Sequence, residues 1–132
     1  MPSRAPEKPG DAQLIQIVLP LPPSINRLWR TSKSGGMYRS GKYAEWRTAA
    51  IWQASVQVKS KAIVGKYKAT FQFVRPDKRR RDLDNLLKAA MDVIVSAKIV
   101  EDDHLCEWLE ARWVGEGPQC LIMLEPIGES AA

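Results

Sequence analysis

Two aspartates two residues apart, Asp82 and Asp84, stand directly behind three arginines, Arg79, Arg80 and Arg81, and ahead of Asn85 and Lys88. A second acidic pair, Asp102 and Asp103, begins eighteen residues after Asp84. On a helix, residues i and i+2 diverge, whereas on extended chain they project to one side. The spacing therefore predicts that Asp82 and Asp84 lie where extended chain enters a helix. Leu83 would turn to the core and both carboxylates outward, near the N-cap, where acids are favoured. Convergent carboxylates suit Mg2+, a hard cation that takes oxygen ligands, and the neighbouring arginines supply charge for phosphate. Together they suit phosphodiester hydrolysis, which needs a metal-activated water and stabilised charge on the phosphoryl oxygens. Lys88 would stabilise developing charge or orient the nucleophile. Acids at a helix start are also common caps, and charge runs are usually solvated faces. The tightness of the two clusters and the second Asp pair favour a site.

The elements that must position these residues follow from periodicity. Leu14–Leu19 is a short apolar run that reads as a buried strand, stopped by Pro20, Pro22 and Pro23. The stretch PPSINRLWRTSKSGGMYRSG reads as a long loop with basic residues beside Trp29 and Tyr38 and a Gly35-Gly36 hinge, a composition suited to tracking a nucleic-acid backbone and stacking bases. Packing of Trp29 over a core edge explains it equally well. Tyr43, Trp46, Ala50, Ala54 and Val58 recur at helical spacing, so 43–59 is expected to be an amphipathic helix with its aromatics in the core. Tyr67–Val74 alternates as a strand, with Ala69, Phe71 and Phe73 on one face. A second helix is expected over 84–97, its apolar face formed by Leu86, Leu87, Ala90 and Ile94, with Asp84, Lys88 and Asp92 one turn apart on the other side. Strands at about 105–114 and 119–124, joined by a GEGP turn, close the domain. The order β-α-β-α-β-β implies an α+β fold, a four-stranded mixed sheet with two helices. If both helices cover one face, the other is free for a partner. Trp108 and Trp113 have opposite parity, so one of them is expected on that free face, where homodimerisation would bury it.

A helix from Asp84 to Ala97 is about 20 Å long, so acids just past its end lie far from Asp82. Either Lys98–Asp103 doubles back along the helix, or Asp103 completes a site near a dimer interface. Asp92 and Asp102 are expected to be structural or supporting, Asn85 to cap or orient, and His104, the sole histidine, to be incidental.

At 132 residues the chain is expected to form one domain over 13–127, between a Pro-rich and charged tail (1–12) and a frayed end (128–132). No apolar run nears the roughly 20 residues of a membrane span, and the N-terminus lacks a signal-peptide core, so a cytoplasmic protein with no membrane partner is expected. The net charge of +5 understates a segregation of charge. Residues 24–48 carry six basic side chains against Glu45 alone, and residues from Ile99 onward carry eight acids against Arg112 alone, which favours a polyanion meeting one face. Cys106 and Cys120 do not make a metal pattern and are expected to be free thiols.

The segment RRRDLDNLLKAAMDVIVSAKIVEDD, with LPLPPSINRLWR upstream, resembles the RusA-type Holliday-junction resolvases, and matching features run from about Ile15 to Leu124. The resemblance implies catalytic, metal-binding aspartates at Asp82, Asp84 and Asp103 and a catalytic lysine at Lys88. It further implies Mg2+ dependence, with Mn2+ an alternative, a homodimer, and four-way junction DNA as substrate, cut in recombination and repair. Arg27, Arg30, Lys33, Arg79, Arg80 and Arg81 are the expected DNA contacts. Ala97-Lys98 departs from the family, which usually has glycine in the turn before the acidic pair. The rival readings are a junction-binding module that does not cleave, and a metal-dependent phosphatase for small substrates.

Overall fold

In the computed structural model, residues 14–23, 29–31, 37–39, 41–59 and 61–128 are described, with the backbone alone for 29–31 and 37–39. Strand β1 (Ile15–Leu19) leads to a small antiparallel pair, β2 (Trp29–Thr31) and β3 (Met37–Arg39), and then to helix α1 (Gly41–Val58). Strand β4 (Tyr67–Val74), helix α2 (Leu83–Ser96), a single 3-10 turn (Asp103–Leu105), β5 (Cys106–Val114) and β6 (Cys120–Pro126) complete the chain. The sheet order is β1-β6-β4-β5, with β4 and β5 parallel and the other pairs antiparallel.

The α+β class and four-stranded mixed sheet match the periodicity, with two differences. The segment read as a long loop contains the β2–β3 pair, whose register sets Trp29 opposite Arg39; the expected Gly35-Gly36 hinge lies outside the described residues. The last two strands are not a hairpin: β6 steps over β4 and lies on its far side. Composition explains why. Leu121 and Met123 alternate with buried Cys120, Ile122 and Leu124, so β6 is apolar on both faces, as an interior strand is. Strand β5 carries Glu107, Glu110 and Arg112, which an edge tolerates.

One face of the sheet is the core. Ile17, Tyr67, Phe71, Phe73, Ile122 and Leu124 are fully buried there, against Ala50 and Ala54 of α1 and Leu86, Ala90, Val93 and Ile94 of α2. The small alanines of α1 let its backbone lie close to the strands. The opposite face is open: Trp108 sits on it, 54% exposed, with Lys68 Nζ 4.6 Å above its ring. Trp113 faces the helices, edge-on to Phe73. The outer edge of β1 is clamped by α1, since Gln57 Oε1 accepts from Val18 N–H and Gln57 Nε2 donates to Val18 C=O, both at 2.8 Å. Cys106 and Cys120 are free thiols, as expected, and burial pushes the Cys120 thiol up to about 12.

Candidate active site

Helix α2 organises the site. Asp82 is its N-cap, with extended backbone (φ −89°, ψ 123°), and Leu83, the first helical residue, packs against the core. This is the extended-to-helix junction that the i, i+2 spacing requires, and it leaves Asp82 and Asp84 both exposed. Asp82 caps no backbone N–H through its side chain; instead Asn85 Nδ2 donates to Asp82 Oδ2 at 3.1 Å and orients it. Asp84 and Lys88 make no ion pair with each other or with any described residue. The i, i+4 pair that would make Lys88 an ordinary surface lysine is therefore absent.

The far end of α2 returns the second acidic pair. Lys98 adopts the left-handed region (φ 62°), Lys98 N–H donates to Val95 C=O at 3.0 Å, and Ile99 N–H donates to Ile94 C=O at 3.0 Å. These bonds form a Schellman stop with lysine where glycine is the usual choice. The chain then doubles back. Ile99 and Val100 are buried, Ile63 N–H donates to Ile99 C=O at 2.8 Å, and Gly65 N–H donates to Glu101 Oε1 at 3.0 Å. Tyr67, fully buried, donates its hydroxyl proton to Asp102 C=O at 3.1 Å with Met91 Sδ 3.7 Å away, which fixes the turn beside the middle of α2. Burial pushes the Tyr67 phenol well above its ordinary range, so it remains a donor. Asp102 then caps the 3-10 turn, its Oδ1 accepting from Asp103 N–H at 2.7 Å and its Oδ2 lying 3.1 Å from His104 Nδ1. The Asp103 amide, followed by His104, holds the Asp102 carboxyl below its usual value.

Lys88, Asp92, Asp102, Asp103 and His104 line one cleft of about 670 Å3, floored by Leu87, Met91, Val95, Cys106 and Leu109. Asp82 and Asp84 lie outside that lining, at the start of α2. From Asp84 to Met91, which marks the level of the returning turn, is about 10 Å along the axis at 1.5 Å per residue. Lys88 stands between the two ends. Among the described residues no three of His, Cys, Asp or Glu are close enough to share one metal ion. Asp82 and Asp84 nevertheless suit Mg2+ in kind. They are hard, solvent-facing oxygen donors with no cationic partner among the described residues, and Mg2+ commonly binds through one or two carboxylates plus substrate phosphate.

The expected DNA contacts divide. Arg79 is 78% exposed and Arg80 is exposed, whereas Arg81 is 18% exposed, its guanidinium 3.1 Å from Asp77 Oδ2. Asp77 also accepts from Arg79 N–H at 3.0 Å, and these bonds hold its carboxyl below the ordinary range. Arg27 and Lys33 lie outside the described residues, and Arg30 is in β2, where the backbone alone is described.

Sequence reasoning missed Asp77, Tyr67 and Arg47. Arg47 Nε donates to Asp92 Oδ2 at 2.6 Å, Tyr43 Oη donates to the same oxygen at 3.0 Å, and Ser96 Oγ donates to Asp92 Oδ1 at 3.2 Å. Burial works to raise the Asp92 carboxyl, but these donors outweigh it and hold it below its ordinary value. Asp92 is therefore a clasp between α1 and α2. Helical spacing groups Tyr43 with Arg47 on α1 and Asp92 with Ser96 on α2, but it does not show that the two pairs meet.

Residues 20–125 match the family model described as "Endodeoxyribonuclease RusA". The chain is 37% identical over 93 residues to the crossover junction endodeoxyribonuclease rusA of Enterobacteria phage HK97, covering 67% of this chain and 73% of the relative. It is 34% identical over 87 residues to the crossover junction endodeoxyribonuclease RusA of Aquifex aeolicus (strain VF5), covering 66% of this chain and 68% of the relative. The protein of the same name from Escherichia coli (strain K12) is also 34% identical over 87 residues, covering 66% and 72%. With the extended-to-helix aspartates and the unpaired lysine on α2 and the acidic turn returning beside it, the match over most of the chain shows that it belongs to the RusA endodeoxyribonuclease family.

Proposed function

We propose that this protein is a Mg2+-dependent endodeoxyribonuclease that resolves four-way DNA junctions by phosphodiester hydrolysis, acting as a homodimer in the cytoplasm in recombination and repair, with Mn2+ an alternative ion. The observation that carries the reading is that Asp84 and Lys88 on α2, and Asp103 on the turn that returns beside α2 to the cleft lined by Lys88, are ion-paired with no described residue, in a chain of this family. A charge that makes no internal contact contributes little to folding and is available to a ligand.

Asp82, Asp84 and Asp103 are the proposed metal-binding aspartates; Asp82 and Asp84 would hold the ion with substrate phosphate, and Asp103, which the fold does not bring close enough to share one ion with both, would act from the other side of Lys88. When bound, the ion supplies an activated water and neutralises charge on the phosphate. Asn85 keeps the Asp82 carboxylate turned outward, and the Asp102 cap holds the turn that presents Asp103. Lys88 places an ammonium between the two acidic ends, where it meets the negative charge that grows on the phosphoryl oxygens. Arg79 and Arg80, with Arg27, Arg30 and Lys33, bind backbone phosphates. Arg81, whose guanidinium already holds Asp77, adds less. No helix among the described residues is long and apolar enough to cross a membrane.

Incubating a synthetic four-way junction with the protein, with and without Mg2+, beside duplex and single-stranded controls, tests the reading. Paired nicks on the junction, absent in EDTA, are expected. Junction binding that survives EDTA and never gives product would instead identify a non-cleaving binding module.

A further inference from the structure

The loop between β4 and α2 carries the basic residues Arg75, Lys78, Arg79, Arg80 and Arg81 around a single acid, Asp77. Arg79 and Arg80 point to solvent, as side chains in a charge run usually do. Arg81 is turned in. Its side chain is 18% exposed, and its Nε is buried with no hydrogen-bond partner among the described residues. A buried N–H without an acceptor is costly, and swinging the side chain outward would relieve it. Asp77 is what holds it in place. Arg81 Nη2 lies 3.1 Å from Asp77 Oδ2 and 3.4 Å from Oδ1, and Oδ1 also accepts from Arg79 N–H at 3.0 Å.

We infer that Asp77 is a positioning residue for the metal-binding aspartates: through Arg81 it braces the chain that leads into Asp82. Asp82 follows Arg81 directly and is the N-cap of α2, so the path of its backbone is set by the loop that delivers it. That loop is held at both ends. Arg75 lies over the Trp113 ring, its guanidinium carbon 4.2 Å from the centroid, and the Asp77–Arg81 bridge closes the last turn. Asn85 then fixes the Asp82 side chain from the helix side, at 3.1 Å. A carboxylate already held in place loses less freedom when an ion arrives, and the ion binds more tightly for it.

Stability does not account for the bridge. An ion pair this open to solvent at Asp77 adds little to a fold, so the role shows in affinity for the ion rather than in Tm. Asp77 could also attract a cation through its charge alone, and the two accounts differ in sign at Arg81. Removing a guanidinium should tighten cation binding if charge is all that matters, and weaken it if the guanidinium is half of a brace. The inference rests on the proposed function for the identity of the ion's ligands, Asp82 and Asp84.

Titration of the whole chain with Mn2+, with and without junction DNA, reading the free ion by electron paramagnetic resonance beside single-turnover cleavage, tests the brace. Asp77→Ala should raise the Mn2+ half-saturation about 3- to 10-fold by both readouts, the scale of ordering a side chain or two on binding. Its Tm should stay within about 2 °C of wild type, and its rate at saturating Mn2+ within about threefold. Asp77→Asn keeps an oxygen for Arg79 N–H but loses the charge, and should fall between the two. Arg81→Ala should weaken Mn2+ binding by a factor similar to that of Asp77→Ala, and the double variant should be no weaker than either single one, since each removes the same contact. Unchanged Mn2+ affinity in Asp77→Ala and Asp77→Asn, tighter binding in Arg81→Ala, or losses that multiply in the double variant would overturn the inference. Mn2+ binding with this pattern in a protein that leaves junctions intact would overturn the proposed function alone. Cleavage with equal Mn2+ affinity in all forms would overturn the brace alone.

Discussion

Asp84 and Asp92 lie two turns apart on the polar side of one helix, and their surroundings are opposite. Asp92 is half-buried and takes bonds from Arg47, Tyr43 and Ser96, which tie α2 to α1. Asp84 is exposed and bonded to no described residue, as is Lys88 between them. A carboxylate that is surrounded by donors has its bonding capacity spent within the fold. One with none keeps it for a ligand, and its removal leaves no orphaned partner. The same helix thus carries a fold-holding acid and a ligand-facing acid, separable by what each touches.

Four substitutions would break or sharpen that contrast. Asp84→Asn should slow junction cleavage by about 100-fold or more, the scale of losing a group that supports metal and phosphate charge, while Tm moves by less than about 2 °C. Full activity in that variant would remove Asp84 from the site. Lys88→Met should lower the single-turnover rate by about 100-fold, with junction affinity and Tm nearly unchanged. A rate within about threefold of wild type would make Lys88 ordinary surface charge.

Asp92→Asn should behave in reverse, losing about 1–2 kcal/mol of stability, allowing for solvent screening at a half-exposed group, while cleavage well below Tm stays within about threefold. The pH dependence has a definite sign. The folded Asp92 carboxyl is held below its unfolded value, so its contribution is complete above the ordinary range near pH 4 and vanishes as pH falls through the lowered folded value. Melting wild type and Asp92→Asn at pH 7 and again in strong acid should show the gap closing, and a gap that widens would contradict the clasp. The smallest effect is expected from Lys98→Gly. Relief of a left-handed lysine should stabilise the protein by about 0.5–1 kcal/mol in denaturant titrations without moving Asp103, so that cleavage is unchanged.

Much of this contrast was legible in the sequence, because it depends on local spacing. The i, i+2 aspartates marked the helix start, the apolar face placed α2 on the core, and the polar face set Asp84, Lys88 and Asp92 in line. The clasp was not read because its partners are about 45 residues apart on α1 and α2, and pairing across that distance follows from packing rather than from periodicity. The return of Asp103 was one of two open paths. Tyr67 holds the doubled-back path, through a hydroxyl contact that no pattern reveals, and this path brings Asp103 to the cleft lined by Lys88 but not to Asp82 and Asp84. Adjacent strands usually pair, so the sequence suggests a β5–β6 hairpin that the fold does not contain. The two-sided apolar run of β6 against the charged β5 was the contrary signal.

Placing the final strand at the centre of the sheet has a consequence for how the protein is made. Strand β1 pairs with β6 and with no other described strand, and the residues that meet, Ile17 and Ile122, are 105 positions apart. A chain emerging from the ribosome therefore carries β1 without its partner strand until β6 has been made. The β4-α2-β5 unit can form early from nearer contacts, but the sheet stays split until Cys120–Pro126 inserts between its halves. Contacts of such long range close slowly. Premature termination anywhere before β6 leaves two unpaired apolar edges instead of a smaller fold.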